Sequence, residues 1–139
     1  MTYTLEMSDA GDDTVRRAVL SPLVIYNARH TGLNDSRPLA VVIRDEAGQI
    51  VGGLWGRTFF GWLFVELLVV PESMRGKGLG TQIMGQAEAE ARARGCHSAW
   101  LDTFEFQARG FYEGLGYSCF GELPDYPVGF SRYFMRKTL

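Results

Sequence analysis

Six consecutive residues, Arg75-Gly76-Lys77-Gly78-Leu79-Gly80, set glycines at every second position between two cations and the start of a helical pattern. At a helix N-terminus the first backbone N–H groups have no intrahelical partner and carry partial positive charge, so they hold an anion such as a diphosphate. Glycine lets the main chain approach the anion closely and adopt turns that a Cβ forbids. Arg75 and Lys77 add charge at the same place. The alternative is a tight strand-to-helix turn with no ligand.

Spacing rules out two familiar phosphate loops. A P-loop places Ser or Thr directly after its lysine, whereas Lys77 is followed by Gly78. A dinucleotide fingerprint spaces its glycines as Gly-x-Gly-x-x-Gly, and Thr81 stands where the third would be.

The elements that must position this turn follow from the patterning around it. Tyr3 to Met7 suits a short first strand, and Asp12 and Asp13 cap a helical stretch carrying Val15, Val19 and Leu20. Pro22 breaks or restarts that helix, so two short helices are expected before the Gly32-Leu33-Asn34-Asp35 turn. Leu39 to Arg44 and Gln49 to Arg57 read as a hairpin around Asp45-Glu46-Ala47-Gly48. Trp62 to Val70 is apolar on both faces apart from Glu66, as in a strand at the middle of a covered sheet.

After the glycines, Leu79, Ile83, Met84, Ala87 and Ala91 form a helical stripe, with Glu88/Arg92 and Glu90/Arg94 expected as i,i+4 pairs on the solvent side and Gly95 as the stop. A strand at His97 to Asp102, a helix at Gln107 to Leu115, and strands at Tyr117 to Gly121 and Phe130 to Lys137 complete a mixed sheet. No linker, repeat or charge block interrupts the chain, so it reads as a single domain over residues 1–139.

Composition narrows the partners. With 139 residues, 46% hydrophobic and 22% charged, the chain has the make-up of one globular domain, and a net charge of −2 leaves no basic excess for nucleic acid or a membrane surface. The start has neither the basic region nor the apolar run of a signal peptide, which implies a soluble, cytoplasmic protein. Cys96, Cys119, His30 and His97 lack metal-ligand spacing, so no metal site is expected.

The pattern Arg75-x-x-Gly78-x-Gly80 resembles the acyl-coenzyme A signature of the GNAT superfamily of N-acetyltransferases. Val69-Val70-Pro71-Glu72 precedes it as the family's central strand would, and Phe111-Tyr112-Glu113-Gly114-Leu115-Gly116-Tyr117, with Ala108 before it, is similar to the family's second motif. Glu105 departs from the pattern, standing where many members carry an Asn that holds the pantetheine arm; Gln107 is a polar substitute nearby.

The resemblance implies an α/β fold with a mixed, mostly antiparallel central sheet flanked by helices and splayed at its centre. It implies acetyl-coenzyme A as cosubstrate, held by Arg75, Gly76, Lys77, Gly78, Leu79, Gly80, Thr81 and Phe111 and by main-chain groups of Leu68, Val69 and Val70. Tyr112 is then the candidate acid for the departing thiolate, or else a packing residue of its short helix.

Glu66 is the only charged residue from Gly61 through Val70. Among Trp62, Phe64 and Leu68 on one strand face its carboxyl pKa would rise towards that of a useful base; the other reading is a structural Glu, with Asp102 in reserve. The acceptor is expected to be the amine of a small molecule, its walls drawn from the early helices, the Phe59-Phe60-Gly61-Trp62 turn and the Pro124 to Phe130 loop. Rival readings are a protein or peptide acetyltransferase and a module that binds acyl-coenzyme A without turnover. A homodimer is expected only by family analogy.

Overall fold

The structure, a computed structural model, describes residues Thr2–Leu139 and divides into two compact units, one ending at Asn34 and one of Asp35–Leu139. In the first unit one helix, α1 (Asp13–Thr31), replaces the two expected. Asp12 is its N-cap, with a carboxylate oxygen accepting from the Val15 N–H at 3.1 Å, and Gly32 closes it with an N–H donated to the Ala28 carbonyl. Pro22 lies inside the helix, where it takes away the hydrogen bond that the Ala18 carbonyl would accept and crowds that carbonyl without ending the helix. Residues Tyr3 to Met7 form no strand: no neighbour pairs with them, and their side chains are exposed.

The second unit is built on six strands, β1 (Arg37–Arg44), β2 (Ile50–Phe59), β3 (Trp62–Val69), β4 (Ser98–Phe104), β5 (Ser118–Leu123) and β6 (Arg132–Thr138), in the order β1-β2-β3-β4-β6-β5. Every pairing is antiparallel except β3 with β4, which is parallel because helix α2 (Leu79–Ala93) crosses between them. This is the mixed, mostly antiparallel sheet that the sequence implied. A short helix, α3 (Arg109–Gly114), follows β4.

One face of the sheet makes the core. Ile83, Met84, Ala87 and Ala91 of α2 bury against Leu39, Leu54, Leu63, Val65, Ala99, Leu101 and Met135, the inward residues of alternating strands. Glu88 was expected on the solvent side and is instead buried. It lies one residue from Ala87, and its carboxylate accepts from the Tyr117 hydroxyl, just before β5, at 2.8 Å and from the Lys137 ammonium of β6 at 2.7 Å. Arg94 also turns inward, bonding Glu90, the Pro38 carbonyl and the Thr58 hydroxyl. No described helix is long and apolar enough to cross a membrane.

Candidate active site

The site begins where β3 and β4 part. Their ladder runs from Trp62/Ser98 to Val65/Leu101 and stops, although β3 continues to Val69 and β4 to Phe104. Beyond that point β3 remains paired with β2 as far as Gly53/Val69, and β4 with β6 as far as Phe104/Arg132. The edges of Glu66–Val69 and Asp102–Phe104 that face each other therefore carry N–H and C=O groups outside the ladder, free for another partner. A strand without polar side chains binds through such groups, which is the role expected of Leu68, Val69 and Val70.

A β-bulge sits at the same place. Gly56 opposes Val65 and Trp55 opposes Leu67, which leaves Glu66 as the extra residue on β3. The bulge changes which way the side chains point. Leu68 falls on the core side opposite Leu54, while Glu66 is exposed on the other face with Trp62 and Phe64. The apolar enclosure expected around Glu66 is therefore absent: Leu68 is not its neighbour on that face, and its carboxylate meets solvent beside the opening.

The glycine turn lies at the carboxyl end of β3. After a 3₁₀ turn at Glu72–Met74, Gly76 and Gly78 take left-handed φ values of 78° and 76°, and Gly78 is the N-cap of α2 with no side chain capping it. The first turn of α2 has no acidic residue, so the N–H groups of Leu79, Gly80 and Thr81 open the helix with their positive end uncompensated. Arg75 bends back and donates its Nε–H to the Val70 carbonyl at 3.0 Å, tying turn to strand, while Lys77 is exposed. Phe111 lies against Gly80, bringing the second motif to the first.

Tyr112 is buried at the same end of α3, its ring 5.1 Å from Phe111 and 6.0 Å from Tyr117. Burial, and secondarily the charge of Asp102, push its phenol up to about 12. The hydroxyl therefore keeps its proton throughout the neutral range.

Asp102 is less free than a reserve base needs to be. Its Oδ1 accepts from Arg132 at 2.9 Å and 2.6 Å, a fork that sequence spacing gave no means of anticipating. Gln107 spends its side-chain oxygen on the turn before α3, accepting from the Phe104 N–H at 2.9 Å and the Thr103 hydroxyl at 3.3 Å. Glu105 accepts from the Tyr133 hydroxyl at 3.2 Å.

Of the expected acceptor walls, the turn after β2 contributes. Phe59, Phe60 and Trp62 line a cavity of about 490 Å³ together with Phe64 and Trp100. The Pro124 to Phe130 loop does not line it; Tyr126 packs on Phe104, and Phe130 on Phe106.

Residues 7–117 match the family model of the acetyltransferase (GNAT) family. The chain is a GNAT-family acetyltransferase. It is 40% identical over 131 residues to acetyltransferase Atu2258 of Agrobacterium fabrum, covering 94% of this chain and 96% of the relative. It is also 40% identical over 115 residues to blasticidin-S acetyltransferase of Streptomyces morookaense, covering 80% and 85%. A crystal structure of an acetyltransferase from Bacillus cereus superposes with a TM-score of 0.81 at 32% identity, over 96% of this chain and 98% of that one. The sheet with parted central strands is thus the GNAT fold, and the acetyl donor of this GNAT enzyme is acetyl-coenzyme A.

Proposed function

We propose that this enzyme transfers the acetyl group directly to the primary amine of a small molecule, at the parting of β3 and β4. The observation that carries this reading is the end of the β3/β4 ladder at Val65/Leu101, beside the glycine turn and the buried Tyr112. A relative named for a small-molecule acceptor, the blasticidin-S acetyltransferase, supports the substrate class.

The residues present fit coenzyme A. A Cβ placed on Gly76 or Gly78 meets nothing within 4 Å, so the main chain there is open to a bulky anion. Gly76 to Thr81 would hold the diphosphate with charge from Arg75 and Lys77, Leu68 to Val70 the amides of the arm, and Phe111 would flank it. Bound there, acetyl-coenzyme A supplies the acetyl group as an activated thioester.

The chain supplies the proton handling. Tyr112 offers a protonated phenol to the departing sulfur, and Glu66, turned outward by the bulge, takes the proton that the amine gives up.

Calorimetric titration with acetyl-coenzyme A, repeated on a Gly78→Glu/Gly80→Glu variant, tests the donor site. Thiol release across a panel of small amines and lysine peptides then tests the acceptor class. Binding to the parent and not to the variant, with turnover on small amines, is the expected outcome. Binding without turnover on any amine would overturn the enzymatic reading, and turnover confined to peptides would overturn the small-molecule one.

A further inference from the structure

The register of the sheet builds a second chemical feature on the face away from α2. Arg57 pairs with Phe64 across β2 and β3, Phe64 with Trp100 across β3 and β4, and Trp100 with Arg136 across β4 and β6. Cross-strand partners point to the same face, so four strands present one row in the order guanidinium, ring, ring, guanidinium. The two rings stack at 4.2 Å with 14° between their planes. With strands about 4.8 Å apart, the two arginine backbones stand roughly 14 Å from each other, and their long side chains can bracket a ligand laid on the rings.

This row floors the cavity of about 490 Å³, a volume in the range of small-molecule sites, with Phe59 and Phe120 at its sides. Arg57 lies 5.4 Å from the Phe59 ring centre and Arg136 5.7 Å from that of Phe120. Those contacts orient the guanidinium planes and leave their N–H forks unspent. Among the described residues neither arginine makes an ion pair, and no acidic side chain lines the cavity. Arg132, on the same strand and face as Arg136, is by contrast paired with Asp102.

We infer that this cavity is the acceptor site and that it selects a small aromatic amine carrying a carboxylate. A carboxylate matches the guanidinium fork with two parallel hydrogen bonds, and a planar ring stacks on Phe64 and Trp100. An acceptor with an ammonium group and no negative charge meets two cations without relief, so simple amines and polycations are rejected. The position suits the chemistry. Phe64/Trp100 is the pair next to Val65/Leu101, where the ladder ends, so the cavity stops one residue, about 3.3 Å, short of the opening between the strands. The placing of the amine rests on the proposed acetylation; the affinity for a carboxylate does not.

Three indole compounds separate these parts by calorimetry with the full chain: indole-3-propionate, with ring and carboxylate; tryptamine, with ring and amine; and tryptophan, with all three. Indole-3-propionate and tryptophan are expected to bind at least tenfold more tightly than tryptamine. Arg57→Gln and Arg136→Gln should each weaken indole-3-propionate about tenfold, strengthen tryptamine, whose ammonium then meets one cation fewer, and leave acetyl-coenzyme A unchanged. Both arginines are exposed, and the ligand comparison on the unaltered chain needs no variant at all.

Tryptamine binding as tightly as indole-3-propionate would overturn the inference, as would an absence of indole-3-propionate binding at millimolar concentration in protein that binds acetyl-coenzyme A. Carboxylate-selective binding in protein that acetylates no amine would uphold the anion site and remove its place in the proposed reaction.

Discussion

Phe111 rests on Gly80: a Cβ added to the glycine would stand 3.1 Å from the Cζ of the ring, closer than ordinary packing allows. Glycine at this position lets the two sequence motifs meet, because Gly80 is in the first turn of α2 and Phe111 is in α3. Gly80→Ala should be about 1 kcal/mol less stable than Gly85→Ala, an open position of the same helix, because the Phe111 ring has to give by a few tenths of an ångström. Adding Phe111→Leu should recover most of the stability. Thermal denaturation of these variants checks this, and a Gly80→Ala chain as stable as Gly85→Ala would disprove the contact.

As the proposed acid Tyr112 should govern turnover, and as a buried phenol it should also govern alkaline stability. Tyr112→Phe should lower turnover about a hundredfold with acetyl-coenzyme A affinity retained, as expected for a group acting only on the departing sulfur. Its phenol is held at about 12, so no limb of the rate profile below pH 10 should belong to it.

The raised value has a stability consequence. Between about pH 10 and 12 the unfolded chain loses this proton while the folded chain keeps it, so stability falls as pH rises, by about 3 kcal/mol over that interval. Tyr117, pushed higher by burial and by Glu88, acts in the same direction. Urea unfolding of the parent and of Tyr112→Phe at pH 9 and pH 11 measures it; the same loss in both would remove Tyr112 as a source.

The proposed donor half of the site was readable in the sequence because that half is local. The glycine turn, the strand before it and the Phe111-Tyr112 motif are contiguous segments whose roles depend on short spacings. The rest depended on relationships between distant segments. Arg57, Phe64, Trp100 and Arg136 form a row only through three strand registers, one of them parallel, and no spacing along the chain encodes it. Glu66 was misplaced among Leu68 and its neighbours because strict alternation was assumed, and one bulge residue reverses that assignment. Glu88 looked like a surface helix residue because its partners, Tyr117 and Lys137, come from the far end of the chain.

The Glu88 carboxylate is a structural charge, and its removal should be expensive. Glu88→Ala leaves the Lys137 ammonium and the Tyr117 hydroxyl without their shared acceptor, at a cost of about 3 kcal/mol. Glu88→Gln keeps an acceptor oxygen and should cost less. Lys137→Met together with Glu88→Leu, which removes both charges, should be milder than Glu88→Ala alone. Denaturant titration of the series tests this ordering, and a loss below 1 kcal/mol for Glu88→Ala would show that the network contributes little.

Glu66 offers the sharpest test of how the bulge serves chemistry. The extra residue on β3 places a carboxylate at the opening between the strands while Val65 and Leu68 both stay on the core side. Glu66→Gln preserves size and hydrogen-bonding capacity and removes only the ability to take a proton. Turnover should fall about tenfold at neutral pH, with acetyl-coenzyme A affinity unchanged, and the deficit should shrink as the pH is raised and more of the amine arrives already neutral. A rate equal to that of the parent across the pH range would assign proton removal to solvent and leave Glu66 no part in it.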